Sequence, residues 1–502
     1  MPIRRGVSLM QVKRIALISA AVLSTLYILL SIPAKEAVQA TGAGKPSFAW
    51  NQDEMWRALE TRFREARDAG CSAVDAELQK GLQEGDRHRD MVAAGRFMPA
   101  DPLFDDMEMN MFGLGPLVAA CPEHLPEYTG LVTSLRDAVK RASRSWDVRE
   151  RLVRDRLYRL LYGGRTALEE VMLQAAGESI PPIVTGTNEP SHTPSLQHAG
   201  VELHSGDILV SRGGAPTSAL IARGNDYPGN FSHIALLYVD EATGIPGIIE
   251  AHIEQGVVIS SLEEYLTDVK LRIMVMRVRS DHPLLAEDPL IPHRAAKMAY
   301  EEARKRHIPY DFAMDFREPS KQFCSEVASH AYSSFGLTIW NIITTMSSPG
   351  VVNWLSDFGV RHFETQAPAD LEYDPDLVVV AEWRDINALW DDHVDNAIVE
   401  VMLEGADKGD RLSYDWYLLA PARLLKAYSM ARNRAGSIGP VPEGMDAVTA
   451  LKTQWLDAMH GQTKAGVLEA AAVFEQTEGY RPPYWELVRM ARRSYETLKN
   501  EE

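Results

Sequence analysis

The most constraining feature of this 502-residue sequence is a change in hydrophobic pattern near residue 200 and again near residue 385. Between these points, short runs rich in β-branched residues predict strands. They are separated by glycines and prolines and cover residues 207–210, 234–239, 248–252, 257–259, 273–278 and 377–381. Two helices are predicted before the last strand, at about 293–306 and near 323–336. The segment therefore reads as an α+β unit over residues 201–385.

Helical periodicity dominates on both sides of this unit. We predict a helical region over residues 46–176 and a second one over residues 386–502. Residues 177–200 are rich in Pro, Ser, Thr and Gly, which favours a linker. A chain this long exceeds the roughly 250–300 residues that a single core supports, so several folded units are expected.

The composition and charge exclude some partners. With 45% hydrophobic and 24% charged residues, the chain is typical of globular proteins. Its net charge of -18 would repel nucleic-acid phosphates, so we expect no nucleic-acid partner.

The first 40 residues carry a targeting signal. Arg4, Arg5, Lys13 and Arg14 precede an uncharged run over residues 15–32. The length of this run suits either a long signal peptide or a minimal membrane anchor. A signal peptide would be cleaved near residues 38–40. A twin-arginine signal is an alternative reading. We favour the anchor, which would place the N-terminus in the cytoplasm and the catalytic part in the periplasm, at the inner membrane.

The sequence contains three cysteines. In an oxidising compartment Cys71 and Cys121 would pair; otherwise both would be buried small hydrophobes. Cys324 has no partner in either case. An unpaired cysteine in an exported protein is a candidate reactive thiol.

Cys324 lies at the start of a predicted helix. Free amides and the helix dipole favour a thiolate there and can stabilise an oxyanion. The alternative is a buried cysteine at the start of an amphipathic helix, and for Cys324 alone that alternative is the better one.

A nucleophilic thiolate needs a base, and His233 opens an otherwise apolar strand, where a buried imidazole requires a partner. On the next strand Glu250, His252 and Glu254 share one face, and Glu250 lies deepest. A satisfied core histidine and a solvated polar face are the alternatives. A zinc site formed by His233, His252, Glu254 and Cys324 is disfavoured because no closely spaced ligand pair occurs.

Several short motifs, in this order, resemble the YiiX/YebB group of circularly permuted, papain-fold cysteine hydrolases of the NlpC superfamily. They are HSGDIL at 204–209, FSH at 231–233, IEA at 249–251, YDF at 310–312, FCSE at 323–326 and PADL at 368–371. The resemblance covers residues 201–385 and neither helical flank. It implies a permuted papain-like catalytic domain with an antiparallel sheet, using His233 as base, Glu250 as orienting residue and Cys324 as nucleophile.

The resemblance also implies hydrolysis of an amide or ester through a thioester, without a cofactor or metal. Cell-wall peptides and acyl lipids are both candidate substrates, with Tyr310, Asp311 and Ser325 as candidate binding residues. We expect membrane contact through the N-terminal helix and a possible protein partner through the helical flanks. The main rival is a catalytically silent binding or scaffold protein of the cell envelope.

Overall fold

A computed structural model of the chain describes residues 9–33, 40–45, 54–175 and 180–501. The part that precedes the sheet is helical, as the sequence predicts. Its helices are α1 (Leu9–Ser31), α2 (Glu54–Ala69), α3 (Cys71–Ala94), α4 (Pro102–Ala120), α5 (Leu125–Ser143), α6 (Arg151–Leu157) and α7 (Gly164–Gln174). A π-helical turn, Tyr158–Gly163, joins the last two.

A seven-stranded antiparallel sheet forms the centre of the fold, in the order β1-β11-β8-β4-β5-β6-β7. Its strands are β1 (Ile183–Thr185), β4 (Ile208–Gly213), β5 (His233–Val239), β6 (Pro246–His252), β7 (Gly256–Ser260), β8 (Lys270–Val278) and β11 (Leu377–Trp383). Two small ladders pair β2 (Ser195–His198) with β3 (Val201–His204), and β9 (Thr344–Thr345) with β10 (Glu364–Thr365). The fold class is α+β, as predicted.

Strand β5 shows why these sequences form the interior of the sheet. Ile234 and Leu236 face one core, whereas Ala235 and Leu237 face another on the opposite side of the sheet. Because both faces are covered, the strand reads as a continuous apolar run. His233 is the polar exception at its first position.

The helices of the α+β unit are α8 (Pro216–Arg223), α9 (Leu262–Thr267), α10 (Pro283–Glu287), α11 (Ile291–Lys305), α12 (Cys324–Ser333) and α13 (Pro349–Asp357). Buried residues of α11 and α12 share one core with Ile234 and Leu236. Four further helices follow the sheet: α14 (Ile386–Asp407), α15 (Leu419–Arg434), α16 (Ala447–Glu478) and α17 (Tyr484–Glu501).

The proposed linker, residues 177–200, has more structure than its composition indicates. Strand β1 pairs with β11 at the edge of the central sheet, and β2 pairs with β3. Its prolines exclude helices but allow edge strands, which the sequence analysis did not predict. Residues 177–179 lie outside the described residues.

Buried ion pairs connect the α+β unit to both helical flanks. Arg165 of α7 binds Glu372 at 2.6 Å and Glu169 at 2.9 Å. Arg272 of β8 binds the same Glu169 at 2.7 Å and also binds Asp392 of α14. Charged groups in a core require partners. Each of the three parts of the chain therefore supplies counter-charges that another part needs.

The two N-terminal cysteines form a disulfide, one of the two alternatives left open by the sequence. Cys71 opens α3 and Cys121 follows α4, so the bond connects the two helices across 50 residues of chain. Cys324 is a free, buried cysteine.

Helix α1 contains the uncharged run as far as Ser31. Within the described part of the chain, no helix combines the length and the apolar character needed to cross a membrane. Arg4, Arg5 and the predicted cleavage residues 38 and 39 lie outside the described residues.

The apolar stretch over residues 337–365 divides between cores: Leu337, Ile339 and Trp340 pack with β5 and α12, and later residues pack against the helical flanks. Ile342 belongs to the core of the N-terminal helices, whereas Val352 and Trp354 lie in a core shared with α14 and α16. Trp354 also donates a hydrogen bond from its indole N–H to the Asp410 carbonyl at 2.9 Å.

Candidate active site

Cys324 is the first residue of helix α12, where the sequence predicts it. It is buried, with 5% of its surface exposed, and its thiol lies 3.8 Å from the carbonyl oxygen of Ser232. The first amides of a helix have no carbonyl partner within the helix. The thiol therefore lies in the positive field of a helix N-terminus and beside the residue that precedes His233.

His233 and Glu250 lie on neighbouring strands in direct contact. Glu250 pairs across the ladder with Ala235, which places it on the same face as His233 two residues away. The Nε2 atom of His233 lies 2.9 Å from Oε2 of Glu250. The pairing predicted from strand alternation is present, and the carboxylate is buried.

The electrostatics of the three side chains favour a charged imidazole. Burial lowers the pKa of His233, but hydrogen bonds and charge interactions with Cys324 and Glu250 outweigh burial and raise that pKa to about 9. Burial likewise opposes ionisation of Glu250, yet hydrogen bonds with His233 and His252 hold its pKa below the ordinary value. The arrangement stabilises an imidazolium between a thiol and a carboxylate.

Two side chains that the sequence analysis did not assign to the triad also hold Glu250. Ser260 of β7 donates its hydroxyl to Oε1 of Glu250 at 2.7 Å. The Nε2 atom of His252 lies 3.2 Å from Oε2, the oxygen that also faces His233. The sequence signal that could have identified Ser260 is its position, because a hydroxyl residue ends the strand that pairs with β6.

Glu254 does not share the face of Glu250 and His252, contrary to the prediction. Strand β6 ends at His252, and Glu254 lies exposed in the turn that leads to Gly256. Alternation of side chains holds only within a strand. Glu254 therefore does not share a strand face with His252, as the disfavoured zinc ligand set assumed.

One triple of potential metal ligands does occur at the site. Donor atoms of His233, Glu250 and His252 lie within 4.8 Å of one another. Both imidazoles already contact the carboxylate, as expected for a hydrogen-bonded cluster that needs no ion. These three residues are nevertheless the ones that would hold a cation at this site.

Tyr310 and Glu326 lie near the thiol and are ionised less easily than usual. Burial, followed by a charge interaction with Cys324, raises the pKa of Tyr310 well above its ordinary value. Burial also raises the pKa of Glu326 to about 9, and its Oε2 accepts a hydrogen bond from the Phe323 amide at 2.8 Å. A neutral carboxyl thus caps the helix that carries the nucleophile.

The other two candidate binding residues differ in their surroundings. Asp311 accepts hydrogen bonds from the amides of Ala313 and Asp315, so it fixes the loop before α12. The buried hydroxyl of Ser325 has no hydrogen-bond partner within the described chain.

The HSGDIL motif has a structural part in this fold. Asp207 binds Arg277 through both oxygens, at 2.7 and 2.8 Å. Gly206 has a positive φ of 99° and lies against Pro292, where a side chain would clash. The motif therefore connects β4 to β8 and α11, and supplies none of the three clustered side chains.

Comparison with known families gives one match, over the part of the chain that contains this site. Residues 202–381 match the model of the permuted papain-like amidase enzymes, YaeF/YiiX, C92 family. This segment is a permuted papain-like amidase domain. No curated protein and no solved structure matches the chain.

Within the amidase domain, His233 precedes Cys324 along the chain, which is the order that the resemblance implied. Membership of an amidase family supports a hydrolase. The match ends before α14 and begins after α7, so it leaves both helical flanks outside the family domain.

A cavity of about 330 Å³ lies where the amidase domain meets the flanks. Its walls are largely aromatic and apolar and come from α2, α4, the π-helical turn, α14 and α17; they include Trp56, Phe112, Tyr162, Leu403, Tyr484 and Trp485. None of the lining residues is Cys324, His233 or Glu250.

Proposed function

We propose that this protein is a cysteine hydrolase that cleaves amide or ester bonds with Cys324 as nucleophile, His233 as base and Glu250 as orienting residue. The observation that carries the proposal is the 2.9 Å contact between His233 and Glu250 beside a thiol at a helix N-terminus. The family match of the domain gives independent support for hydrolysis.

In the acylation step, the Cys324 thiolate attacks the carbonyl carbon of the substrate. His233 carries the proton from the thiol and transfers it to the leaving amine or alcohol. Amides at the start of α12 are oriented to stabilise the oxyanion. The product of this step is a thioester on Cys324 and a released amine or alcohol.

In the deacylation step, His233 removes a proton from water, which attacks the thioester carbon. The C–S bond breaks, the carboxylic acid leaves, and the sulfur of Cys324 regains the proton held by His233. Glu250 holds the ring in one orientation and stabilises its charged form in both steps. Because Ser260 and His252 fix Glu250, the orientation of the base depends on three strands of one sheet.

The proposed substrate is a peptide amide of the cell wall, which the amidase family favours, or an acyl lipid. The proposed location is the periplasm, at the inner membrane. The disulfide between Cys71 and Cys121 supports an oxidising compartment, because such bonds persist there. Positive charges before the uncharged run support export of the following domains.

Thiol reactivity tests the proposed nucleophile and base together. Iodoacetamide should alkylate Cys324 rapidly at about pH 6, where an ordinary thiol is protonated. His233→Ala should slow this reaction, whereas His330→Ala, which changes a half-exposed histidine at the opposite end of α12, should not. Labelling of the wild type no faster than that of a small thiol would refute the catalytic assignment.

Hydrolysis is then measured with panels of cell-wall peptides and acyl lipids. Wild type should cleave members of one panel, and Cys324→Ala should cleave none. Mass spectrometry should detect the acyl group on Cys324 after rapid quenching. Cleavage that survives the substitution would point to another nucleophile, and elemental analysis of the same sample tests the cation alternative at His233, Glu250 and His252.

A further inference from the structure

Helix α15 and the turn before it expose large apolar side chains. Trp416 and Tyr417 form that turn, with 65% and 49% of their surfaces exposed. Within the helix, one face exposes Leu424, Leu425 and Tyr428. Both leucines are neighbours of Tyr428 on this face, because they precede it by four and three residues. Monomeric soluble surfaces rarely carry such a contiguous apolar patch without a partner.

The charge of this segment differs from that of the whole chain. Between Trp416 and Pro442 the sequence has four basic residues and no acidic one, although the net charge of the protein is -18. Arg432 and Arg434, in the last turn, are both exposed. Basic residues beside exposed aromatic and leucine side chains are typical of helices that lie in a membrane interface.

Helix α1 extends this patch. The hydroxyl of Tyr27 donates a hydrogen bond to the carbonyl of Tyr417 at 2.5 Å. Arg423 of α15 donates to the carbonyl of Leu30 at 2.8 Å, near the end of α1. Large apolar side chains spread along α1 are exposed, among them Leu17, Ile18, Val22, Leu23 and Ile28. The two helices thus form one continuous apolar surface.

We propose that α15 and its preceding turn form a second membrane-binding element, which lies on an anionic lipid surface beside α1. Trp416 and Tyr417 would enter the interface, Leu424 and Leu425 the upper acyl region, and Arg432 and Arg434 would contact lipid phosphates. This proposal deepens the membrane association proposed above and rests on it.

The basic charge favours a lipid surface over a second copy of this chain. A self-associating face in which four basic residues outnumber the single acidic residue of the turn, Asp415, would bring like charges together. Anionic headgroups instead neutralise them. The attraction should weaken as salt increases, because the Debye length falls from about 10 Å at 0.1 M to about 3 Å at 1 M.

Vesicle flotation of the full-length protein tests the proposal. The probes are phosphatidylcholine vesicles with and without phosphatidylglycerol. The variant Leu424→Ser/Leu425→Ser should reduce binding at least about tenfold, since it removes two apolar side chains from the acyl region. Arg432→Gln/Arg434→Gln should reduce only the binding that requires phosphatidylglycerol. The matched control, Leu468→Ser/Val473→Ser, changes two exposed apolar residues of α16 and should have no effect.

Fluorescence quenching locates the turn directly. Brominated lipids should quench the wild type more than Trp416→Phe, which leaves the other nine of the ten tryptophans in place. Equal quenching, together with unchanged flotation of the α15 variants, would overturn the role of α15 while leaving the membrane contact of α1 intact.

Two other results would also overturn the proposal. Failure of the wild type to bind any vesicle would remove membrane association altogether. A shift of the Leu424→Ser/Leu425→Ser variant to a smaller species in sedimentation velocity, without a change in flotation, would assign the surface to a second copy of the chain. Hydrolysis of soluble substrates by the variants should equal that of the wild type, which separates this proposal from the catalytic one.

Discussion

The Oε2 atom of Glu250 lies 2.9 Å from Nε2 of His233, which places a buried carboxylate on one side of the imidazole and leaves its Nδ1 edge for the thiol. A histidine held in this way has one orientation. Because the carboxylate belongs to the neighbouring strand, the register of β5 and β6 sets the geometry of the base.

His233 should titrate far above an ordinary histidine. Its pKa is raised to about 9 by Cys324 and Glu250 against the effect of burial. Its contribution to stability is therefore complete below about pH 6.5, the unfolded value, and is lost as the pH rises through about 9. NMR of the ¹³C-labelled histidines, assigned with His233→Gln, should give a midpoint near 9. Cys324→Ala should lower that midpoint, and a wild-type midpoint near 6.5 would contradict the charged pair.

Ser260 should act as a positioning residue. Ser260→Ala removes a 2.7 Å hydrogen bond to Glu250, worth about 1 kcal/mol, so kcat/KM should fall about fivefold. The loss should lie in kcat, with KM unchanged, because Ser260 supports the base and not the substrate. Ser260→Thr keeps the hydroxyl and should restore most of the activity. An equal loss in both variants would indicate a steric effect instead.

An uncharged side chain at position 326, which caps helix α12, should make the folded protein more stable than Glu326 does at neutral pH. Burial and charge interactions with Asp311 and Cys324 raise the pKa of Glu326 to about 9. As the pH rises, Glu326 therefore ionises in the unfolded chain before it ionises in the folded protein. The stability of the folded protein should fall as the pH rises from about 4.5 to 9. Glu326→Gln keeps an acceptor for the Phe323 amide and should be more stable at pH 7, by about 1–3 kcal/mol.

The control for this cap is Glu326→Ala, which removes the acceptor and should destabilise by about 1 kcal/mol relative to Gln. Thermal unfolding at pH 5 and pH 7 distinguishes the effects. The advantage of Gln should be smaller at pH 5, and an advantage of equal size at both values would argue against a raised pKa.

The amidase domain should depend on its helical flanks for stability. Asp392→Ala leaves Arg272 of β8 with one fewer buried counter-charge and should cost about 3–5 kcal/mol in the free energy of unfolding. Asp391→Ala is the matched control, because its half-exposed carboxylate contacts Lys464 at 3.5 Å and should matter by less than about 1 kcal/mol. Urea unfolding measures both variants, and equal costs would show that the buried pair is dispensable.

The same ion pairs predict the behaviour of a fragment. Residues 201–385 alone would lack Glu169 and Asp392, the two carboxylates that Arg272 contacts. We expect this fragment to be insoluble or partly folded when expressed by itself. A soluble fragment with native near-ultraviolet circular dichroism would show that the domain is independent.

The order of the short motifs predicted the domain, its antiparallel sheet and the three clustered side chains. Strand alternation was sufficient for Glu250 because it lies inside β6. The same argument failed for Glu254, since the strand ends two residues earlier and a turn does not alternate. The support from Ser260 required knowledge of the register between β6 and β7, which no local pattern encodes.

Local sequence thus determined where the helix carrying Cys324 begins, which apolar runs become the central strands and which side chains are proposed to carry the chemistry, because these depend on neighbours along the chain. Only the tertiary structure decided the rest. The Cys71–Cys121 bond, the addition of β1 to the sheet, the burial of Arg165 and Arg272 against carboxylates from other parts of the chain, and the contact of α1 with α15 all join distant residues. Such contacts form only when the packed elements bring their partners together. Local periodicity and residue spacing therefore do not predict them.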